Sequence, residues 1–167
     1  MERVDHRYRA AIEAAYSLIP AGMHRLIRPH FLCGVDPVFV GLHRYEDASF
    51  GRSYRSTAHV AYEFHQTGTA RTNRRTTVVL PGRPAVLELP VLVHELGHVL
   101  DASLGFAHRA EPVGDYAATD PLEAFAEAFT AWALPPGYGY GARKGQLYAS
   151  DRSTVALFDD LSEAGVR

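Results

Sequence analysis

Cysteine is almost absent from this 167-residue chain, and the single Cys33 excludes an internal disulfide. The fold therefore does not depend on an oxidising compartment, and Cys33 reads as a small buried hydrophobe rather than a nucleophile. Neither acidic nor basic residues are in marked excess. A formal net charge of -2 gives no general attraction to nucleic acid or anionic membrane, so neither is expected as a partner. No apolar run approaches the length of a membrane span, and Met1-Glu2-Arg3-Val4-Asp5-His6-Arg7 leads into no apolar segment of the signal-peptide kind. A cytoplasmic location is the default expectation, with delivery by a signal-independent route left open. Internal repeats and low-complexity tracts are lacking too. With 47% hydrophobic residues the chain suits one packed domain over 1–167 and is too short for two; a monomer is expected.

Apolar periodicity gives the elements. Ala10, Ala11, Ala14, Ala15 and Leu18 predict a helix over 5–18, stopped by Pro20 and Gly22. Between 37 and 89 short β-rich runs alternate with Gly, Ser and Thr: Val38 to Leu42, His59 to Phe64, Thr76 to Leu80 and Ala85 to Leu89. They predict a small twisted mixed sheet of three to four strands. Helical patterns return at 90–104, 121–134 and 153–164, separated by loops at 105–120 and at the Gly/Tyr-rich 135–148. The expected fold class is α+β, the sheet packed against two helices that carry the functional residues.

The most informative stretch is His94-Glu95-Leu96-Gly97-His98. Four residues are slightly more than a helical turn, so both imidazoles project from one face with Glu95 beside them. That pattern suits metal-assisted hydrolysis: neutral nitrogen ligands for zinc, and a base next to the water it polarises. Shuffling this composition would produce the pattern in roughly three chains in a hundred, so its surroundings must decide. Pro90 fits a first helical turn, and Val91, Leu92, Val93, Leu96, Val99 and Leu100 supply the apolar faces of a buried helix.

A catalytic zinc normally takes three protein ligands, so a third must be found. The metzincin pattern fails, because its third histidine would fall on Leu104 and its glycine on Asp101. The better source is the helix opened by Asp120 and Pro121, where Glu123 and Glu127 lie one turn apart among Leu122, Phe125, Ala126, Phe129 and Trp132. Hydrated surface glutamates are the ordinary alternative, but this helix offers little polar face. One glutamate would bind zinc; the other would accept a hydrogen bond from a ligating histidine and fix its tautomer.

His-Glu-Leu-Gly-His-Val-Leu-Asp at 94–101, together with Tyr116, six residues, Glu123 and then Glu127, resembles the paired motifs of the anthrax lethal factor protease domain and the related pro-pro endopeptidases. The resemblance covers residues 76–132. It implies a gluzincin-type zinc endopeptidase with His94, His98 and Glu123 as ligands and Glu95 as general base. Tyr116 would be an oxyanion-stabilising phenol and Glu127 the orienting partner of a ligand. A second resemblance is to cytoplasmic repressor-cleaving metallopeptidases, which share the His-Glu-x-x-His helix and a downstream Glu on an Ala/Phe-rich helix. A different class is a binding module in which zinc only clamps two helices.

Lesser candidates surround this core. Asp101 shares the helical stripe of the histidines and is a candidate orienting residue, with a surface or cap role as the alternative. His108 is the rival third ligand, although its loop position suits an exposed histidine better. Arg71, Arg74 and Arg75 suggest a solvated turn before a strand, or a phosphate or acidic-peptide contact. Tyr138 and Tyr140 suggest a mobile aromatic flap. A peptide or protein substrate is expected to lie extended along a sheet edge at Thr76 to Leu80, and Glu111, Asp115 and Asp120 would favour basic substrate residues.

Overall fold

A stripe of Tyr8, Ile12 and Ala15, spaced at helical intervals and buried, defines α1 (His6–Ser17) in the computed structural model of the chain, which describes residues 6–33, 59–67, 70–80 and 87–164. A 3-10 turn at Ala21–Met23 follows Pro20 and buries Met23. Three strands come next: β1 (His30–Cys33), β2 (His59–Thr67) and β3 (Ala70–Leu80). The central strand is β3. It pairs parallel with β1, from His30 opposite Thr77 to Cys33 opposite Leu80, and antiparallel with β2, from His59 opposite Val79 to Thr67 opposite Ala70. Val60 on β2 and the consecutive Val78, Val79 and Leu80 on β3 are all buried, so this end of the sheet enters the core.

Four further helices complete the described chain: α2 (Leu89–Ser103), α3 (Pro121–Ala133), α4 (Gly141–Ser150) and α5 (Arg152–Glu163). Every residue of α2 from Leu92 to Ala102 is buried, including four polar or charged ones, so this helix runs through the interior. Its partner is α3. A Cβ on Gly97 would stand 3.0 Å from the Ala126 Cα and 3.1 Å from Phe129 Cδ1, so the absence of a side chain is what lets the two backbones approach. Below this crossing Phe125 and Phe129 of α3 meet Phe158 of α5 edge-on, with ring centroids 5.4 and 5.5 Å apart. Lys144 of α4 donates to the carbonyls of Trp132 (2.9 Å) and Leu134 (3.2 Å), satisfying exposed acceptors at the C-terminal end of α3.

The expected α+β class, a small twisted mixed sheet of three to four strands packed against two helices, is corrected by the weight of helix. Among the described residues the chain is mostly helical, and parallel pairing is confined to β1 and β3. Helix wins where the sequence suggested strand or loop. At the expected strand Ala85 to Leu89, Leu87 and Glu88 adopt no regular structure and Leu89 opens α2, since Pro90 suits a first helical turn; residues 85 and 86 lie outside the described residues. The expected loop 135–148 contains most of α4. The strand expected at Val38 to Leu42 lies outside the described residues. Arg71, Arg74 and Arg75, expected in a turn, belong to β3, where Arg71 faces Gln66, Arg75 faces Glu63 and the register skips Arg74. No helix among the described residues is long and apolar enough to cross a membrane.

Candidate metal centre

The crossing of α2 and α3 sets the site. His94, Glu95 and His98 are buried on α2, while Glu123 and Glu127 rise from α3 one turn apart on the facing side. Asp120 starts α3 as its sequence suggests, its carboxylate accepting from the Leu122 N–H at 2.7 Å. The glutamates are thereby carried on a helix with a fixed start.

Three ligand atoms converge. Glu123 Oε2 lies 3.0 Å from His94 Nε2 and 3.5 Å from His98 Nε2. Tetrahedral coordination at metal–donor distances of roughly 2.0–2.2 Å sets neighbouring donors about 3.3 Å apart, so these separations bracket that spacing. His94, His98 and Glu123 form a group that could hold a metal ion, their ligand atoms all within 4.8 Å of one another. The two rings meet edge to face without stacking, centroids 4.8 Å apart and planes at 85°. Glu95 is no member of the group although it adjoins it.

Burial and the facing carboxylates set the charge state of each group. His94 Nδ1 lies 3.0 Å from Glu127 Oε1, which holds the ring so that Nε2 is the nitrogen presented to the site. Burial by itself would lower the His94 pKa, but hydrogen bonds to Glu123 and Glu127 outweigh it and raise the value to about 10. Burial lowers His98, which keeps that ring neutral, as a ligand must be. On Glu123 and Glu127 burial acts upward, and hydrogen bonds with the histidines reverse it, leaving both carboxyls below their ordinary value. Burial pushes Glu95 up to about 8, opposed by the charge of His94, and a backbone hydrogen bond from Val60 of β2 also stabilises its charged form. Glu123 and Glu127 are thus the two groups kept as carboxylates beside the imidazoles in this buried crossing.

Tyr116 stands at the rim, 54% exposed, its ring centroid 6.0 Å from that of His94. Burial of its inner part, the charge of Glu123 and a hydrogen bond to Glu123 all raise its pKa, so the phenol keeps its proton. Asp101 is fully enclosed, yet among the described residues neither its Oδ1 nor His98 Nδ1 has a hydrogen-bond partner, so this oxygen does not align the ring as expected. His108 is not in the metal group. Its Nε2 bonds Thr154 Oγ1 at 2.7 Å, far along the chain on α5, and its ring lies edge-on to Phe125. Glu111, Asp115 and Asp120 are exposed on the loop that leads to α3.

Three features escaped the sequence. Thr76 to Leu80 is not an edge, because β1 and β2 flank it on both sides; among the described residues β2 is the edge strand that reaches Glu95, through Val60. Tyr140 is no free flap: its hydroxyl donates to Glu127 Oε1 at 3.3 Å. Arg143, unremarked in the sequence, places Nε 3.4 Å from Glu127 Oε2. Nothing in the local pattern linked Tyr140, at the N-cap of α4, or Arg143 within it to Glu127 on α3. No family model, curated protein or solved structure matches the chain.

Proposed function

We propose that this protein is a zinc-dependent endopeptidase. The observation that carries the reading is the convergence of two imidazole nitrogens and one carboxylate oxygen beside a buried glutamate that is not among them. A site that served only to clamp two helices has no use for Glu95 in that position. The motif resemblance to the lethal factor protease domain and the pro-pro endopeptidases supports the same assignment of roles.

His94, His98 and Glu123 would hold the ion, and the Cys-poor, histidine-rich donor set suits zinc. Zinc bound there would act as a Lewis acid that polarises the scissile carbonyl and acidifies the attacking water. Glu95 takes a proton from that water as its oxygen adds to the carbonyl carbon. As the carbon–nitrogen bond breaks, Glu95 passes the proton to the leaving amine. The Tyr116 hydroxyl, held protonated, donates to the oxygen on which negative charge develops. Glu127 keeps the His94 proton on Nδ1 throughout. An extended peptide would pair along β2, whose Val60 already touches Glu95.

Peptide-library cleavage by the zinc-loaded protein tests the reading. Glu95→Gln should bind zinc as the parent does and lose about 100- to 10,000-fold in turnover. Tyr116→Phe should lose on the order of a hundredfold with zinc retained. Equal cleavage by Glu95→Gln and the parent chain would end the hydrolase assignment.

A further inference from the structure

We propose that Tyr140 and Arg143 are positioning residues for the metal ligand His94, acting through Glu127. The inference rests on the metal reading above and adds a second layer to it, contributed by a helix that carries no ligand.

Glu127 divides its two oxygens between different tasks. Oε1 faces His94 Nδ1 at 3.0 Å and accepts from the Tyr140 hydroxyl at 3.3 Å, while Oε2 lies 3.4 Å from Arg143 Nε. A glutamate on α3 alone could rotate about its terminal bonds; the Tyr140 hydrogen bond on Oε1 and the Arg143 charge beside Oε2, an ion pair without a hydrogen bond to that oxygen, hold it with Oε1 aimed at the imidazole. Tyr140, at the N-cap of α4, and Arg143, in its first turn, brace each other as well. The Arg143 guanidinium carbon sits 4.7 Å from the Tyr140 ring centroid, a cation–π contact.

Charge balance gives Arg143 a second task. The Glu127 side chain is only 6% exposed, so its charge needs compensation from a buried neighbour. Arg143 is the cation the structure places on its other oxygen. Its Nε also lies against Gly114, where a Cβ would stand 3.4 Å away, so the guanidinium sits between Glu127 and the loop that carries Tyr116.

The clamp is separable from the fold. Lys144, bonded to the Trp132 and Leu134 carbonyls, docks α4 on α3 independently of Arg143, and the Arg143 side chain is 39% exposed.

Zinc dissociation constants from chelator competition, measured beside the melting temperature of the metal-free protein, test the proposal. Arg143→Ala should weaken zinc about 10- to 100-fold, and Tyr140→Phe less, with metal-free melting within about 2 °C of the parent. Arg143→Lys, which keeps the charge, should recover most of the loss. Unchanged zinc affinity in the double variant Tyr140→Phe/Arg143→Ala, with affinity lost in His98→Ala, overturns the clamp and leaves the metal site standing. A loss in Arg143→Ala that tracks a fall in metal-free melting and is not recovered by lysine also overturns it, as a structural effect. A parent protein that takes up no zinc defeats both readings together.

Discussion

A cation can ligate His94 only after displacing the proton on Nε2, and the structure holds that proton tightly. Both ring nitrogens lie 3.0 Å from carboxylate oxygens, Nε2 from Glu123 and Nδ1 from Glu127, so in the metal-free protein both donate and the ring is an imidazolium. Its pKa of about 10 reflects two glutamate hydrogen bonds overcoming the opposing effect of burial. At pH 7, about three units below that value, displacing the proton opposes metal binding by about 4 kcal/mol, a roughly thousandfold weaker apparent affinity than a deprotonated ring would give. Affinity should therefore rise about tenfold per unit between pH 7 and 9 from His94 alone. Glu95, raised to about 8 by burial, adds to the release when a cation arrives beside it. Calorimetry of zinc addition in two buffers of different ionisation enthalpy counts the protons. At least one proton per zinc is expected at pH 7. Release of less than about half a proton would refute the doubly bonded imidazolium and the affinity profile derived from it.

Three other perturbations follow from the packing. Gly97→Ala places a methyl 3.0 Å from the Ala126 Cα and 3.2 Å from the Ala126 carbonyl oxygen; it should destabilise the protein by about 1–3 kcal/mol and weaken zinc by spreading α2 from α3, and unchanged denaturant midpoint and affinity would show that the crossing has slack. Asp151 caps α5 at the Thr154 N–H (3.1 Å) and ties down the Glu111 N–H (2.8 Å), so Asp151→Ala should lose about 1–3 kcal/mol in chemical denaturation while zinc affinity holds. Burial raises the Asp101 pKa to about 7, partly offset by Arg109. A carboxyl raised in the folded state binds more protons there than when unfolded, so its contribution to stability falls as pH rises from about 4 to about 7. Asp101→Asn should flatten that fall and raise the melting temperature at pH 8 more than at pH 5; a parallel shift at both pH values would count against it.

The legible parts of this chain are those with local signals. Pro90 and the apolar run after it mark α2, and Asp120 with Pro121 marks α3, so the five residues His94, Glu95, His98, Glu123 and Glu127 could be placed from short segments alone. The relation between the two helices needed only one further inference, that two glutamates on an apolar face require a cation or a partner. The helix α4 gave no such signal. It contains Gly141 and Gly145 and buries only Leu147, and it is held by Lys144 bonding to carbonyls and by Arg143 and Tyr140 meeting Glu127. Its helical state is imposed by tertiary contact over weak propensity. The sheet was misread for a related reason. Ala70 to Arg75 is polar and arginine-rich, and only pairing with β2 makes it strand; β1 forms by parallel pairing with a segment more than forty residues on, which no local pattern encodes.

X-ray absorption at the zinc edge, on parent protein and Glu123→Ala, examines the shared cation most directly. One zinc per chain is expected, with two imidazoles and light oxygen or nitrogen donors at roughly 2.0–2.2 Å, and Glu123→Ala should lose the metal or the third protein donor. A sulfur donor at roughly 2.3 Å, or a coordination shell and affinity indifferent to Glu123, would contradict the account.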